Sequence, residues 1–230
     1  MSGLKQRVMG LQPGMGVKIS PDEIDRYEWF EVVNPSIDAQ WFGTVAGTQT
    51  QNKALVLINP LADYSRNVRI AYTGASGSVV NLASGSIVYK NQFGVSGTET
   101  YAGTPAANGG TIIGTAVMAE VVSGTFTFGT GDPGSGTIQV GVGTAGTTTV
   151  FGLPTKIAAT SDIKRIRGSF NGVGTQTAGT FVFGGTPSSA AATAVHGFKA
   201  PRDVPAGTCV YNILFKPSYD ASNETDIANL

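Results

Sequence analysis

The chain has 230 residues, with fifteen basic and fifteen acidic side chains and no formal net charge, and charged residues make up only 13% of it. That share is about half of what a soluble domain usually carries, and the balance argues against a protein that grips nucleic acid through a basic surface. One cysteine, Cys209, excludes an internal disulfide framework, and no run approaches the roughly 20 apolar residues of a membrane helix.

The first zone, residues 1–53, is irregular. Pro13-Gly14 and Ser20-Pro21 break structure, although Pro21 to Arg26 suits a short helical turn capped by Ser20. Met1 to Arg7 leads into no apolar leader segment, so synthesis and folding in a cytoplasm are expected. The early aromatics follow at Tyr27, Trp29, Phe30, Trp41 and Phe42. Disordered tails seldom carry two tryptophans. The zone is therefore expected to be an extended N-terminal arm that lays Trp29, Phe30, Trp41 and Phe42 into a neighbouring subunit as interface anchors. Deleting residues 1–42 should then leave the remainder folded but unable to attach.

The second zone, 54–217, is predicted as strand after strand. Ala54 to Ile58 is a short apolar run ended by Asn59-Pro60, the pattern of a buried strand. Val68, Ile70 and Tyr72 share one face, and Ser86 to Lys90 and Ile112 to Val122 are further candidates. Between residues 101 and 155 the only charged residues are Glu120 and Asp132, in a texture of glycine, threonine and short apolar couplets. Glycine and threonine do not favour helix, whereas threonine and aromatics suit a pleated surface. Thr125 to Phe128 and Thr137 to Val142 alternate strictly. Ile163 to Phe170, Gly179 to Phe183 and Thr208 to Phe215 complete the set, the last with Cys209, Tyr211, Ile213 and Phe215 on one face. Gly-Thr-Phe-X-Phe-Gly occurs at 124–129 and again at 179–184, a weak repeat. The small-residue stretch 188–194 reads as a loop, and 218–230 as a polar C-terminal tail. Many short strands between Gly, Thr, Asn and Pro clusters predict an all-β fold, a β-sandwich of jelly-roll or Ig-like type.

The motifs that could carry chemistry have plainer explanations. Gly129 to Gly134 and Gly141 to Gly146 match a dinucleotide fingerprint, but Pro133 interrupts the first and β-forming Thr147 to Val150 follows the second. A single histidine, His196, cannot build a multi-histidine metal site, and no Gly-X-Ser-X-Gly elbow frames a nucleophile. Cys209 lies in an apolar strand as a small buried hydrophobe. Asp132 with Glu120 or Glu99 could form a glycosidase pair, but no spacing fixes the separation. Asp22, Glu23 and Asp25 lack the later ligands of a calcium loop. Lys156, Lys164, Arg165 and Arg167 form a basic cluster, read as a subunit contact or as a patch lining a nucleic-acid container, with Lys164 facing away from Arg165 and Arg167. No catalytic residue, cofactor or metal is expected.

Gly94 to Thr100, the Ser-Gly-Thr-Phe-Thr-Phe-Gly-Thr-Gly stretch at 123–131, and Lys156 to Ile163 together resemble virion structural proteins of tailed bacteriophages, over roughly residues 66 to 170. The resemblance implies a particle component, a capsid cement or decoration protein that bridges neighbouring major capsid subunits. A tail, fibre or baseplate part, or a carbohydrate-binding β-sandwich, are the alternatives. The implied location is the virion, and the implied partners are the major capsid protein or other virion subunits. Copies of the chain itself are expected in a homotrimer or another symmetric oligomer. No sequence-specific nucleic acid and no membrane are expected among the partners.

Overall fold

The computed structural model describes residues 27–46, 52–74, 79–80, 82–103, 106–107, 109–129, 136–142, 149–157, 162–170, 173–175, 180–182, 196–199 and 209–217. Among them the regular structure is nineteen strands: β1 (Glu28–Val33), β2 (Asp38–Ala46), β3 (Lys53–Ala54), β4 (Val56–Leu57), β5 (Leu61–Arg66), β6 (Arg69–Thr73) and β7 (Val79–Val80). The chain continues through β8 (Leu82–Lys90), β9 (Ser96–Tyr101), β10 (Ala106–Ala107), β11 (Gly109–Ile113), β12 (Met118–Phe128) and β13 (Thr137–Val142). It closes with β14 (Val150–Gly152), β15 (Ile163–Phe170), β16 (Val173–Thr175), β17 (Thr180–Val182), β18 (Gly197–Lys199) and β19 (Cys209–Phe215).

The fold is an all-β sandwich. A five-stranded sheet runs β11-β6-β13-β2-β4, and an eight-stranded sheet runs β17-β18-β14-β5-β12-β8-β9 with β3 paired to β12. A third sheet of four strands runs β1-β19-β15-β16, and β10 pairs with β7. All pairings among the described strands are antiparallel, the arrangement that lets one face pack and the other meet solvent.

Two hydrophobic cores result. The larger lies between the five- and eight-stranded sheets, where Phe42, Ile70, Ile138 and Val140 meet Leu82, Ile87, Met118 and Phe126. The smaller lies between the four-stranded sheet and the other part of the eight-stranded sheet, where Val32, Ile166, Tyr211, Ile213 and Phe215 meet Phe151 and Phe198. β5 touches both: Ala62 packs against the first core and Tyr64 against the second. The alternation at Val68-Ile70-Tyr72, Phe126-Phe128, Ile138-Val140-Val142 and Cys209-Tyr211-Ile213-Phe215 places each set inward. Glycine has a packing role here. Gly85 lies in register opposite Phe126, and Gly110 opposite Tyr72, and a β-carbon at either glycine would collide with the facing ring. Rings lying over cross-strand glycines explain why the glycine-rich texture folds as sheet.

The structure corrects the boundary at residue 53. From Glu28 onward the supposed arm is part of the sandwich, because β1 pairs along its whole length with β19 and β2 lies between β13 and β4. Phe42 and Val45 of β2 are core residues, and Val32 of β1 closes the smaller core. Deleting 1–42 would thus remove structure from both cores. Apolar burial at alternate positions also divides the run Ala54 to Ile58: Leu55 points inward while Val56 and Ile58 point out, so it is a half-buried edge and not a buried strand. Residues 112–122 likewise divide between β11 and β12. The helical turn before Arg26, the loop at 188–194 and the tail at 218–230 lie outside the described residues.

Candidate interaction surfaces

One apolar surface is built where β4 turns into β5. Gly43 of β2 has φ of 154°, and a β-carbon there would collide with the Val56 carbonyl, so only glycine allows β4 this close. β4 then pairs through Gly43↔Leu57 and Thr44↔Val56 as the edge of the five-stranded sheet. The turn is fixed by backbone bonds from Ile58 N to Phe42 O (2.8 Å) and from Val121 N to Pro60 O (2.7 Å). The indole N–H of Trp41 donates to the Leu61 carbonyl at 2.8 Å. These ties hold Val56, Ile58 and Leu61 outward at 67%, 57% and 61% exposure, with the exposed Val122 and half-buried Trp41 beside them. Four aliphatic side chains thus face solvent around this edge, bordered by the Lys90–Glu120 ion pair (2.8 Å), while the Trp41 ring packs against the larger core.

A second surface is the outer face of the four-stranded sheet. Register places Trp29, Leu214 and Arg165 in one row and Glu31, Asn212 and Arg167 in the next. Val33, Val210 and Ser169 form a third row. Trp29 is 56% exposed, and Glu31, Val33, Arg165 and Arg167 are exposed too. A register shift between Ile163 and Arg165 turns Lys164 out as well, so that its ammonium lies 6.0 Å from the centre of the Tyr27 ring. Strict alternation, which put Lys164 on the opposite face, fails at this bulge.

The four aromatics expected to act together are therefore distributed. Trp29 stands on the second surface, and Trp41 packs against the larger core with its N–H bonded beside the first. Phe30 packs against the smaller core, and Phe42 is 0% exposed inside the larger one, which withdraws Phe42 from any interface with another chain. Val56, Ile58, Leu61 and Val122 were not singled out by the sequence. A consecutive apolar run does not reveal which of its members a sheet edge leaves uncovered.

Several ionisable residues make structural contacts. Glu99 accepts the Tyr101 hydroxyl (2.6 Å), the Thr115 amide (2.6 Å) and the Thr115 hydroxyl (2.8 Å), pinning β9 to the turn after β11. Burial, then the Glu99 charge, pushes the Tyr101 phenol well above its usual range. Glu120 is committed to Lys90. His196 is buried edge-on to Phe93, and its Nδ1 accepts the Ile157 amide at 3.4 Å. Cys209 is buried, and its amide donates to Asn34 Oδ1. Lys156 is buried and so separate from the exposed Lys164, Arg165 and Arg167. Among the described residues no group of three or more His, Cys, Asp or Glu side chains could hold a metal, and no helix is long and apolar enough to cross a membrane. Asp22, Glu23, Asp25, Asp132 and most of both glycine fingerprints lie outside the described residues.

No family model matches the chain, and no curated protein matches it. Among solved structures it aligns with a chain from "Structure of infectious bursal disease virus Gx strain" at 11% identity, over 98% of this chain and 47% of that one. The chain thus spans about half the length of that viral protein. The TM-score is 0.21, and a likeness at that level carries no conclusion about fold or function.

Proposed function

We propose that the chain is a non-enzymatic structural subunit of a bacteriophage particle, of the capsid cement or decoration type, which holds neighbouring shell subunits together. The observation that carries this reading is the β4–β5 surface, where Val56, Ile58 and Leu61 are each more than half exposed within one short span. Contiguous exposed aliphatics mark a surface that another protein covers. The low charge content of 13% and zero net charge fit a protein shielded by neighbours, because a free monomer of this kind has little protection against association. The resemblance of the 66–170 texture to virion proteins points the same way.

In this mechanism the edge of the five-stranded sheet is laid against a shell protein. Each fully covered aliphatic side chain contributes about 1.5–3 kcal/mol, and shell symmetry repeats the contact at every equivalent junction. The test pairs the native chain with a Val56→Asp/Leu61→Asp variant, both incubated with particles stripped of the protein and then sedimented. The native chain should cosediment in many copies per shell. The variant should stay in the supernatant while its circular dichroism matches the native spectrum. Equal attachment of the two proteins would overturn the reading. A handful of native copies per particle would shift it to a tail or baseplate part, and specific signals on a glycan array would replace it with carbohydrate binding.

A further inference from the structure

We infer that the outer face of the four-stranded sheet binds a second copy of this chain across a two-fold axis running along β19. This inference concerns a different face from the β4–β5 surface and stands on its own observations. The face is self-complementary in register. β19 lies in the middle, with β1 on one side carrying Trp29 and Glu31, and β15 on the other carrying Arg165 and Arg167. Trp29, Leu214 and Arg165 share a row, as do Glu31, Asn212 and Arg167.

A two-fold axis along the middle strand exchanges the two flanks and leaves each row opposite itself. Leu214 and Asn212 of one copy then meet the same residues of the other. Trp29 meets Arg165 of the second copy, a cation over an indole face. Glu31 meets Arg167 of the second copy, and the same pair recurs on the far side of the axis. Packing two sheet faces about 10 Å apart suits side chains of this length.

Within one copy these groups are uncommitted: the side chains of Glu31, Arg165 and Arg167 form no ion pair among the described residues. One strand, β19, separates Glu31 from Arg167 within the sheet, and nothing described lies between the rows and solvent. Trp29 at 56% exposure is the large apolar group that such a contact would cover. A nucleic acid would be matched by the arginines but repelled by Glu31, and a generic acidic partner would leave Trp29 uncovered. A second copy satisfies all four.

The experiment uses the full chain in sedimentation velocity over a concentration series, with two charge-reversed variants, Glu31→Arg and Arg167→Glu. Native protein should sediment as a dimer. Each single variant should weaken association by about a hundredfold, because like charges then face each other twice. Mixing the two variants should restore a dimer, since Arg at 31 in one copy then faces Glu at 167 in the other, and both remaining native partners are matched as well. The double variant carrying both changes should also dimerise. Both substitutions are at exposed positions, and circular dichroism checks that the fold is kept. A monomeric or trimeric native chain, a dimer insensitive to either reversal, or a mixture that fails to associate would each overturn the inference. None of these results affects particle attachment by the β4–β5 surface, which is measured separately.

Discussion

The larger core is assembled from strands that lie close together in the chain, whereas the smaller core joins the first and last described strands. β12 pairs with β8 and β13 pairs with β6 and β2, all within residues 38–142. By contrast β19 recruits β1 from the start of the described chain, in the register Glu28↔Phe215 to Val33↔Val210, and closes the smaller core with β15 and β14 beneath it. Connections as long as this form late and are entropically costly. The small core therefore depends on segments that the large core does not need, and β5 is the strand through which loss of one is felt by the other.

The most severe way to break this difference is to remove residues 1–42. Loss of β1 uncovers the edge of β19, loss of Val32 opens the smaller core, and loss of Phe42 opens the larger. Truncating a buried phenylalanine alone costs about 3–5 kcal/mol, a large part of the about 5–15 kcal/mol that holds a domain folded. The truncated chain is expected to show no cooperative thermal transition in differential scanning calorimetry. A sharp transition near that of the full chain would mean that the sandwich starts at Ala54 after all.

A more selective probe acts at the strand between the cores. Arg66 is fully buried, its guanidinium carbon lies 5.7 Å from the centre of the Phe151 ring, and Nη2 donates to Asp63 Oδ1 at 2.6 Å. Among the described residues its Nε and Nη1 have no hydrogen-bond partner. Burial lowers the guanidinium pKa, and the charge of Asp63 raises it again. Asp63 also accepts the amides of Ser36 (2.7 Å) and Tyr64 (2.9 Å), and Tyr64 exchanges two bonds with the main chain of Val33, so this carboxylate ties β5 to the end of β1. Asp63→Ala leaves a buried cation unpaired and is expected to cost about 3–5 kcal/mol. Arg66→Met removes the charge together with its unmatched nitrogens and should cost less than about 1.5 kcal/mol, or even stabilise the protein. Urea denaturation of both variants gives the ordering, and a larger loss for Arg66→Met would mean that the guanidinium is a net source of stability.

The same division between local and distant contacts explains what the sequence could reveal. Strict alternation at Phe126-Phe128, Ile138-Val140-Val142 and Cys209 to Phe215 identifies inward faces without any knowledge of partners, and these strands are where expected. β1 and β2 were hidden for two reasons. Gly43 breaks the alternation of β2 between Phe42 and Val45, and nothing in Trp29 to Val33 announces a partner at Val210 to Leu214. The exposed surfaces were half visible. The tryptophans marked both regions, but which aromatic points outward depends on pairing: Trp29 and Phe30 are neighbours in sequence and lie on opposite faces of β1. The rows that join Trp29 to Arg165 and Glu31 to Arg167 exist only once β19 lies between them.

The smallest expected effect sharpens the comparison from the side of the larger core. Tyr101 is buried there, its hydroxyl donating to Glu99, and its pKa is raised first by desolvation and then by the Glu99 charge; the Tyr89 phenol is raised by the same two causes in the same order. A phenol whose folded pKa is raised keeps its proton in the native state while the unfolded chain releases one above about pH 10. Its contribution is complete below that value and declines as pH rises beyond it. Tyr89 and Tyr101 share this core, so the alkaline response must be assigned by substitution. Tyr101→Phe should cost about 1 kcal/mol at neutral pH by removing one hydrogen bond to a charged acceptor, while Glu99 keeps its three bonds to Thr115 and Ala116. Between pH 9 and 11 the variant's urea midpoint should fall less steeply than that of the native chain. Parallel slopes would mean that Tyr101 does not set the alkaline response and would move the assignment to Tyr89, the other phenol of the larger core whose pKa burial raises.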